Sequence, residues 1–206
     1  TEAMMLHGRL LIVVCVGYVF AVPIQQESDE THQGAGFINT AGAPSPFIWK
    51  QCSPPDGPMR IGNLTVVPSP IVLSKTKDKT ISVGVEGSLG AAVDLGSSVD
   101  LIIKKRIPYT ATYERVPCVD QWGSCSYPDL CAQLKFHMPV CNDWFERHGL
   151  SCHCPFAPQT VSAAESIYTV PAVGKLLPGW LADGDFQVQV TLKDAAGGEL
   201  GCLFAQ

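Results

Sequence analysis

Charged residues and the short motifs of common enzymes are both scarce in this sequence. Charged side chains make up 16% of the 206 residues, and the formal net charge is −5. Nucleic acid is not expected as a partner, because its binding needs a basic face. The chain has no G-x-S-x-G, no H-E-x-x-H and no phosphate-binding loop, so we do not expect an enzyme. A hydrolase that uses two carboxylates needs no such motif and stays a minor alternative.

A stretch long enough to cross a bilayer is also missing. An apolar run at 10–20 follows Arg9, but it is too short to span a membrane. Val19 and Ala21 are small residues of the kind that signal peptidase prefers around its cleavage site. We interpret residues 1–21 as a secretory signal peptide, with a buried N-terminal strand as the alternative. The mature protein is expected to be soluble and exported.

The remainder of the chain is predicted to form a flexible leader and one domain. Residues 22–46 are polar, rich in Gly and Pro, and without periodicity, which is typical of a flexible segment. The mature chain of about 185 residues has ordinary apolar content, enough for one core and too few residues for two comfortable domains. We therefore expect one domain at 47–206.

Cysteine is abundant, with nine in the chain and eight once Cys15 leaves with the signal. An even number in a secreted chain predicts four disulfides, although spacing alone does not choose among the pairings. In GLSCHCPF, 149–156, a ring closed across one residue would be strained, so the two cysteines should have different partners. A metal site is disfavoured, because zinc needs reduced thiols and the chain has no C-x-x-C and no H-x-x-x-H. His153 is expected to be a bystander.

Alternating apolar and polar residues predict a mainly β structure. The turn residues at 194–198 predict that the last two strands form a hairpin. Residues 64–74 are also expected to be extended, but Pro68 and Pro70 confine them to a sheet edge or a bend. The segments with the clearest alternation are 80–89, 98–105 and 185–194.

One helix is expected, inside the cysteine-rich region. In PDLCAQLKFHM, Pro128 suits the first helical position. Leu130, Leu134 and Met138 then fall on one face of the helix.

The segment 170–186 is apolar, yet its prolines and glycines exclude a regular helix or strand. One interpretation is a loop that folds over the core. The other is an apolar rim around a lipid pocket, where Trp180 would suit the boundary between water and hydrocarbon.

Four stretches, taken in order, carry a family resemblance. VPCVDQWGSCSYPDLC, LSCHCPF, VPAVGKLLPGWLADGDFQV and LGC resemble the ML lipid-recognition superfamily, and within it the lysosomal cofactors that bind gangliosides. The resemblance covers 47–206. It implies a single-domain antiparallel β-cup with an apolar cavity, one short helix and four disulfides.

The resemblance also implies a function. The cavity would take up the ceramide tails of a glycosphingolipid, a ganglioside, and the protein would present the sugar to beta-hexosaminidase A in the lysosome. It would act as a non-enzymatic activator, without catalytic residues, cofactor or metal. Below the pI of 5.4, the protein would dock peripherally on an anionic membrane surface. The alternative is a secreted lipid carrier or sensor with no enzyme partner.

Several residues receive roles from the resemblance and the strand patterns together. The sequon at Asn63, a predicted glycosylation site, lies earlier than the family site, and the loop before VPC has Tyr109 and Tyr113 where Trp is expected. The implied disulfides are Cys52–Cys202, Cys118–Cys125, Cys131–Cys154 and Cys141–Cys152. The residues expected to face the cavity are Val83, Val85, Leu101, Ile103, Val188 and Val190. The residues expected at the membrane or lipid rim are Tyr109, Tyr113, Val173, Leu176, Leu177, Trp180 and Leu181.

Overall fold

The structure is a computed structural model that describes part of the chain. The described residues are 25–26, 46–69, 72–73, 77–119, 121, 123–137, 139–141, 145, 147–170 and 185–206. The predicted signal peptide and most of the predicted leader lie outside them. The elements, in chain order, are β1 Gln25–Gln26, β2 Trp49–Gln51, β3 Met59–Val67, β4 Val72–Leu73, β5 Lys79–Leu89, β6 Ser98–Arg106, β7 Tyr113–Arg115, β8 Ser126–Tyr127, α1 Leu130–His137, β9 Gln159–Val170, β10 Phe186–Lys193 and β11 Glu199–Ala205.

The larger sheet has the strand order β2–β11–β10–β6–β7, and β8 also pairs with β6. Its pairs are antiparallel. The predicted C-terminal hairpin is confirmed as β10 and β11. In its turn, Asp194 Oδ1 accepts hydrogen bonds from the backbone N–H groups of Ala196 and Gly198. Gly197 supplies the positive φ of 85° that the turn requires.

The smaller sheet has the order β3–β5–β9 and is also antiparallel. The strand β9 was not expected from the sequence. The strand β3 lies at the edge, and it ends at Val67, directly before Pro68, as expected for a proline that cannot donate to a ladder. Beyond it, Val72 and Leu73 pair in parallel with Gln25 and Gln26 from the predicted leader.

The apolar faces of the two sheets meet in one core. Val83 on the smaller sheet is 2% exposed, and Val190 and Leu203 on the larger sheet are 1% exposed each. All three belong to a single hydrophobic cluster that also includes side chains of α1. The structure confirms the predicted fold class: the described residues are mainly β, with two large antiparallel sheets, one short helix and four disulfides. In the described residues, no helix combines the length and the apolar content needed to cross a membrane.

The predicted helix is confirmed as α1, but its beginning differs from the prediction. Asp129 Oδ1 accepts a hydrogen bond from the backbone N–H of Ala132 at 2.8 Å, which makes Asp129 the N-cap. Pro128 therefore precedes the cap and does not occupy the first helical position. Leu130 and Leu134 are each 2% exposed, on the buried face as predicted; Met138 lies outside the described residues.

The disulfides explain the arrangement of GLSCHCPF. Cys154 is bonded to Cys131 of α1, and Cys152 is bonded to Cys141. The two cysteines of the motif thus have different partners and hold one irregular segment at two points. The other bridges are Cys52–Cys202 and Cys118–Cys125, so all four pairs are those that the family resemblance implies.

Candidate functional site

The six residues predicted to face a cavity lie in one apolar region. Antiparallel pairing places Val188 opposite Ile103 and Val190 opposite Leu101. Directly opposed residues share a face of the sheet, so these four side chains form a patch on one face of the larger sheet. Val83 and Val85 of β5 belong to the same hydrophobic cluster. The structure therefore brings the predicted cavity residues together between the sheets.

The apolar side chains along one face of β6 are not equally buried, and the less buried ones offer apolar surface to a ligand. Val99, near the start of the strand, is 3% exposed and belongs to the buried cluster. Leu101 and Ile103, further along the same face, are only half-buried. Leu101 and Ile103 thus keep some accessible apolar surface, while Ile103 also packs against the buried Val116 and Phe186 at the hairpin end of β6.

Some residues of this apolar region were missed by the sequence analysis. Leu64 and Val66 of β3 lie opposite Val85 and Val83, and both are buried. Leu203 of β11 lies opposite Val190. In LTVV the apolar residues at every second position carried the signal for Leu64 and Val66. ELGCLFA is apolar on both faces, so alternation does not single out Leu203.

The β6–β7 hairpin is ordered by Arg106. Its Nε donates to the Thr110 carbonyl at 2.7 Å, and its guanidinium forms an ion pair with Asp185 at 2.9 Å. Asp185 is the first described residue after 171–184, so the chain re-enters the larger sheet beside this hairpin. Tyr109, at the tip, is fully exposed and has a φ of 63°.

The predicted rim residues have different environments. Tyr109 projects into solvent, whereas Tyr113 is half-buried and its hydroxyl accepts a hydrogen bond from Gln206 Nε2 at 3.2 Å. Burial, and secondly the charge of Asp185, raise the pKa of Tyr113. The remaining predicted rim residues lie outside the described part of the chain; they are Val173, Leu176, Leu177, Trp180 and Leu181.

The same hairpin carries basic side chains. Lys104 and Arg115 are directly opposite each other in the β6–β7 ladder and are both exposed. Like charges in that arrangement destabilise a hairpin. An anionic surface placed against Lys104 and Arg115 would relieve the repulsion.

The predicted glycosylation site lies on the edge strand of the smaller sheet. Asn63 is exposed and follows a register shift in the β3–β5 ladder, between Ile61 and Asn63. An exposed side chain on an edge strand has room for a glycan, so Asn63 stays a prediction with a compatible position.

Comparison with known proteins gives a consistent match over most of the chain. The family model of the ML domain matches residues 46–206. The Ganglioside GM2 activator of Mus musculus is 33% identical over 160 residues, which cover 76% of this chain and 78% of that protein. The Ganglioside GM2 activator of Macaca fascicularis is 29% identical over 195 residues, which cover 93% of this chain and 91% of that protein. The resemblance inferred from the sequence is thereby confirmed.

Two solved structures are also similar. A Niemann-Pick type C2 protein from Japanese carpenter ant is 12% identical, with a TM-score of 0.34, and the match covers 77% of this chain and 96% of that chain. Chicken MD-1, complexed with lipid IVa, is 13% identical, with a TM-score of 0.31, and the match covers 77% of this chain and 86% of that chain.

Proposed function

The chain belongs to the ML domain family, and on that basis we propose that it is a lipid-binding and lipid-transfer protein. Its target would be a glycosphingolipid, a ganglioside, which it extracts from membranes and presents to beta-hexosaminidase A. The similarity to ganglioside GM2 activators over most of the chain carries this proposal. The protein itself would not be an enzyme, and it would work in the lysosome after passing through the secretory pathway.

The half-buried apolar face of β6 is where the lipid tails would bind. Leu101 and Ile103 keep accessible apolar surface next to the buried Val188 and Val190. Acyl chains bound against this surface would remove it from water, at about 25 cal/mol per Å² of apolar area. The sugar headgroup would stay outside, toward the β6–β7 hairpin.

The energetics of transfer favour a reversible exchange. Burying a methylene from water is worth about 0.8 kcal/mol, but a lipid in a bilayer is already surrounded by hydrocarbon. Transfer of the lipid from the bilayer to the site between the sheets therefore gains almost no free energy from the burial of its methylene groups. The barrier is the passage of the acyl chains through water, and an apolar rim that touches the membrane would lower it.

The β6–β7 hairpin and the segment 170–186 would form that rim. Tyr109 offers an exposed aromatic ring at the hairpin tip, and aromatic rings with a polar end suit the membrane interface. Lys104 and Arg115 would meet anionic headgroups. Below the pI of 5.4 the whole protein becomes net positive, so docking would strengthen as the pH falls.

The central test combines extraction and hydrolysis. Purified protein is incubated at acidic pH with vesicles that contain ganglioside and an anionic lipid, with and without beta-hexosaminidase A. We expect ganglioside to leave the vesicles and its hydrolysis to accelerate. Extraction without acceleration would favour the carrier or sensor, and hydrolysis by the protein alone would indicate a hydrolase.

One charged variant locates the lipid site in that assay. Leu101→Asp should abolish extraction, because an ionised carboxylate on an apolar surface must be neutralised or hydrated. A correctly folded Leu101→Asp protein that still extracts ganglioside would place the tails elsewhere.

The rim is tested with Tyr109→Ser, which should slow extraction and leave the melting temperature unchanged. Phe136→Ser on α1 is the matched control, since Phe136 is also an exposed aromatic residue, at 80%. Equal rates for the two variants would argue against a membrane role of the hairpin. Trp180→Ala is expected to act like Tyr109→Ser; a loss of about 3 to 5 kcal/mol in stability would instead place Trp180 in the core.

A further inference from the structure

The larger sheet has a second face, which turns away from the smaller sheet and which the proposed lipid site does not use. Phe204 lies directly opposite Lys50 of β2 and Gln189 of β10, and Gln189 lies opposite Ile102 of β6. Directly opposed residues share a face of a sheet, and the residues adjacent to these four along the strands belong to the core. This outer face therefore has a half-buried apolar centre, formed by Phe204 and Ile102.

Hydrogen bonds hold the polar side chains next to this apolar centre. Gln187 Nε2 donates to Gln206 Oε1 at 3.1 Å, and Gln206 Nε2 donates to the Tyr113 hydroxyl at 3.2 Å. Ile48, which exchanges backbone hydrogen bonds with Gln206, is 54% exposed beside them. A partner that binds the outer face would therefore meet side chains that are already ordered, which lowers the entropic cost of binding.

Cations outnumber anions on the outer face, although the chain as a whole has a formal net charge of −5. Ion pairs join Arg106 to Asp185 and Lys193 to Asp100. Among the described residues, the cationic side chains of this face are Lys50, Lys104, Arg106, Arg115 and Lys193, and the anionic ones are Asp100, Asp185 and Glu199. The outer face is therefore complementary to a surface rich in carboxylates.

The cations outside these two ion pairs lie at opposite edges of the sheet. Lys50 is on the edge strand β2, whereas Lys104 and Arg115 lie in the β6–β7 ladder, which the proposed function places at the membrane. At about 4.8 Å per strand, β2 and β7 are about 19 Å apart. A surface that contacts Lys50 and Phe204 therefore leaves the hairpin edge accessible to the bilayer.

We propose that the outer face near β2, centred on Lys50, Phe204 and Gln189, is the docking surface for an acidic protein partner, which in the proposed function is the glycosidase. The inference rests on that function and adds the surface through which the loaded protein contacts the enzyme. A protein is favoured over a glycan, because the Lys50 ammonium lies over the Phe204 ring, 5.0 Å from its centroid, where a sugar ring would otherwise stack. An aromatic centre with a polar rim is also typical of protein–protein interfaces.

The test measures extraction and hydrolysis separately, with the full chain, ganglioside-containing vesicles and beta-hexosaminidase A. Lys50→Glu should leave the rate of extraction unchanged and lower the acceleration of hydrolysis about fivefold at low ionic strength. The difference from the parent should shrink as salt is added, because salt screens exposed charges. Lys135→Glu on α1 is the matched control, since Lys135 is also an exposed lysine and its replacement changes the net charge equally; it should behave as the parent does.

A second variant probes the centre of the surface. Gln189→Glu places a carboxylate of nearly the same size beside Phe204 and should also lower the acceleration without slowing extraction; melting curves check that each variant is folded. Equal acceleration by Lys50→Glu and Lys135→Glu would overturn this inference and leave the proposed function intact. Slower extraction by Lys50→Glu and Gln189→Glu would show that the outer face contacts the membrane, which also overturns it. A parent protein that extracts ganglioside without accelerating hydrolysis would contradict both the enzyme partner and its docking surface.

Discussion

The larger sheet and the cysteine-rich segment 118–156 are held together in different ways. The sheet has continuous ladders, in which β10 pairs with β6 over eight residue pairs without a register shift. The described residues of the segment include α1 and the two-residue strand β8, and three of the four disulfides lie entirely within the segment. Backbone hydrogen bonds fix the first region, and covalent cross-links fix the second.

The two regions meet at β6. The Ser124 hydroxyl accepts a hydrogen bond from the Ile103 N–H and donates one to its carbonyl, both at 3.0 Å. The Leu101 N–H donates to the Cys125 carbonyl at 2.8 Å. The irregular segment thus satisfies the backbone of β6 beside the proposed lipid site, and it can do so because the Cys118–Cys125 bridge shapes it.

The largest effect is expected from a charge in the core of the sheet. Val188→Asp places a carboxylate at a residue that is 5% exposed, and an unpaired buried charge should cost more than about 4 kcal/mol of unfolding free energy. Gln189→Asp, on the opposite face of β10, is the control and should cost far less. Urea denaturation measures both. Similar losses would mean that the two faces of β10 do not differ in burial.

The second largest effect is expected from removal of a disulfide that closes a long loop in the cysteine-rich segment. Cys131→Ser/Cys154→Ser should lower the unfolding free energy by about 2 to 5 kcal/mol. Cys118→Ser/Cys125→Ser should cost about 1 kcal/mol less, because loop-closure entropy grows with sequence separation, which is 23 for the first bridge and 7 for the second. Equal losses in denaturant titrations would contradict this entropic account.

Loss of the helix cap should have a smaller effect. Asp129→Ala removes the acceptor for the Ala132 N–H and should cost about 0.5 to 2 kcal/mol. Asp129→Asn keeps an acceptor oxygen and should retain most of the stability. Thermal denaturation of both variants provides the comparison, and a cap role would be wrong if alanine and asparagine behaved alike.

The smallest effect concerns an ion pair on the sheet. Hydrogen bonds from Lys193, and then Ser126, lower the pKa of Asp100, and the bond to Asp100 raises the pKa of Lys193. The ionised Asp100 contributes to the stability of the folded state. This contribution is fully present above the unfolded-state pKa of about 3.9 and is lost as the pH falls through the lowered folded-state pKa. The Lys193 contribution is lost only as the pH rises through its raised pKa.

Asp100→Asn should therefore reduce the melting temperature slightly and equally at pH 7 and pH 5, and the difference from the parent should vanish in strong acid. Melting curves of the parent and the variant across this range test the sign. A difference that shrinks between pH 7 and pH 5 would show that the carboxylate already gains a proton there.

The contrast between β10 and β9 shows what could be predicted from the sequence. In β10, apolar and polar residues alternate without interruption, so the strand and its inner face were both predictable. In β9, the register shifts opposite Val83 and Val85, and Ala163 is buried while Ile167, an even number of residues later, is 76% exposed. The shift reverses which residues face the core, so a strict two-residue period does not identify this strand.

The candidate site and the disulfides were also only partly predictable from the sequence. The apolar faces of β6 and β10 followed from alternation, whereas the half-burial of Leu101 and Ile103 depends on which side chains of the other sheet reach them. The disulfide pairing could not be chosen from spacing and required the family resemblance. The start of α1 was misplaced because both Pro128 and Asp129 favour the beginning of a helix, and only the hydrogen bond from Ala132 distinguishes them.

The bridge between Cys52 and Cys202 turns most of the domain into a covalent ring. The bonded cysteines are separated by 150 positions, and beyond them Ile48 and Gln206 exchange two backbone hydrogen bonds of 2.8 Å. A protease that cuts any one loop between Cys52 and Cys202 leaves both fragments attached to each other, so a single nick cannot release a piece of either sheet. In a compartment rich in proteases, such a chain tolerates its first cut and loses material only after a second.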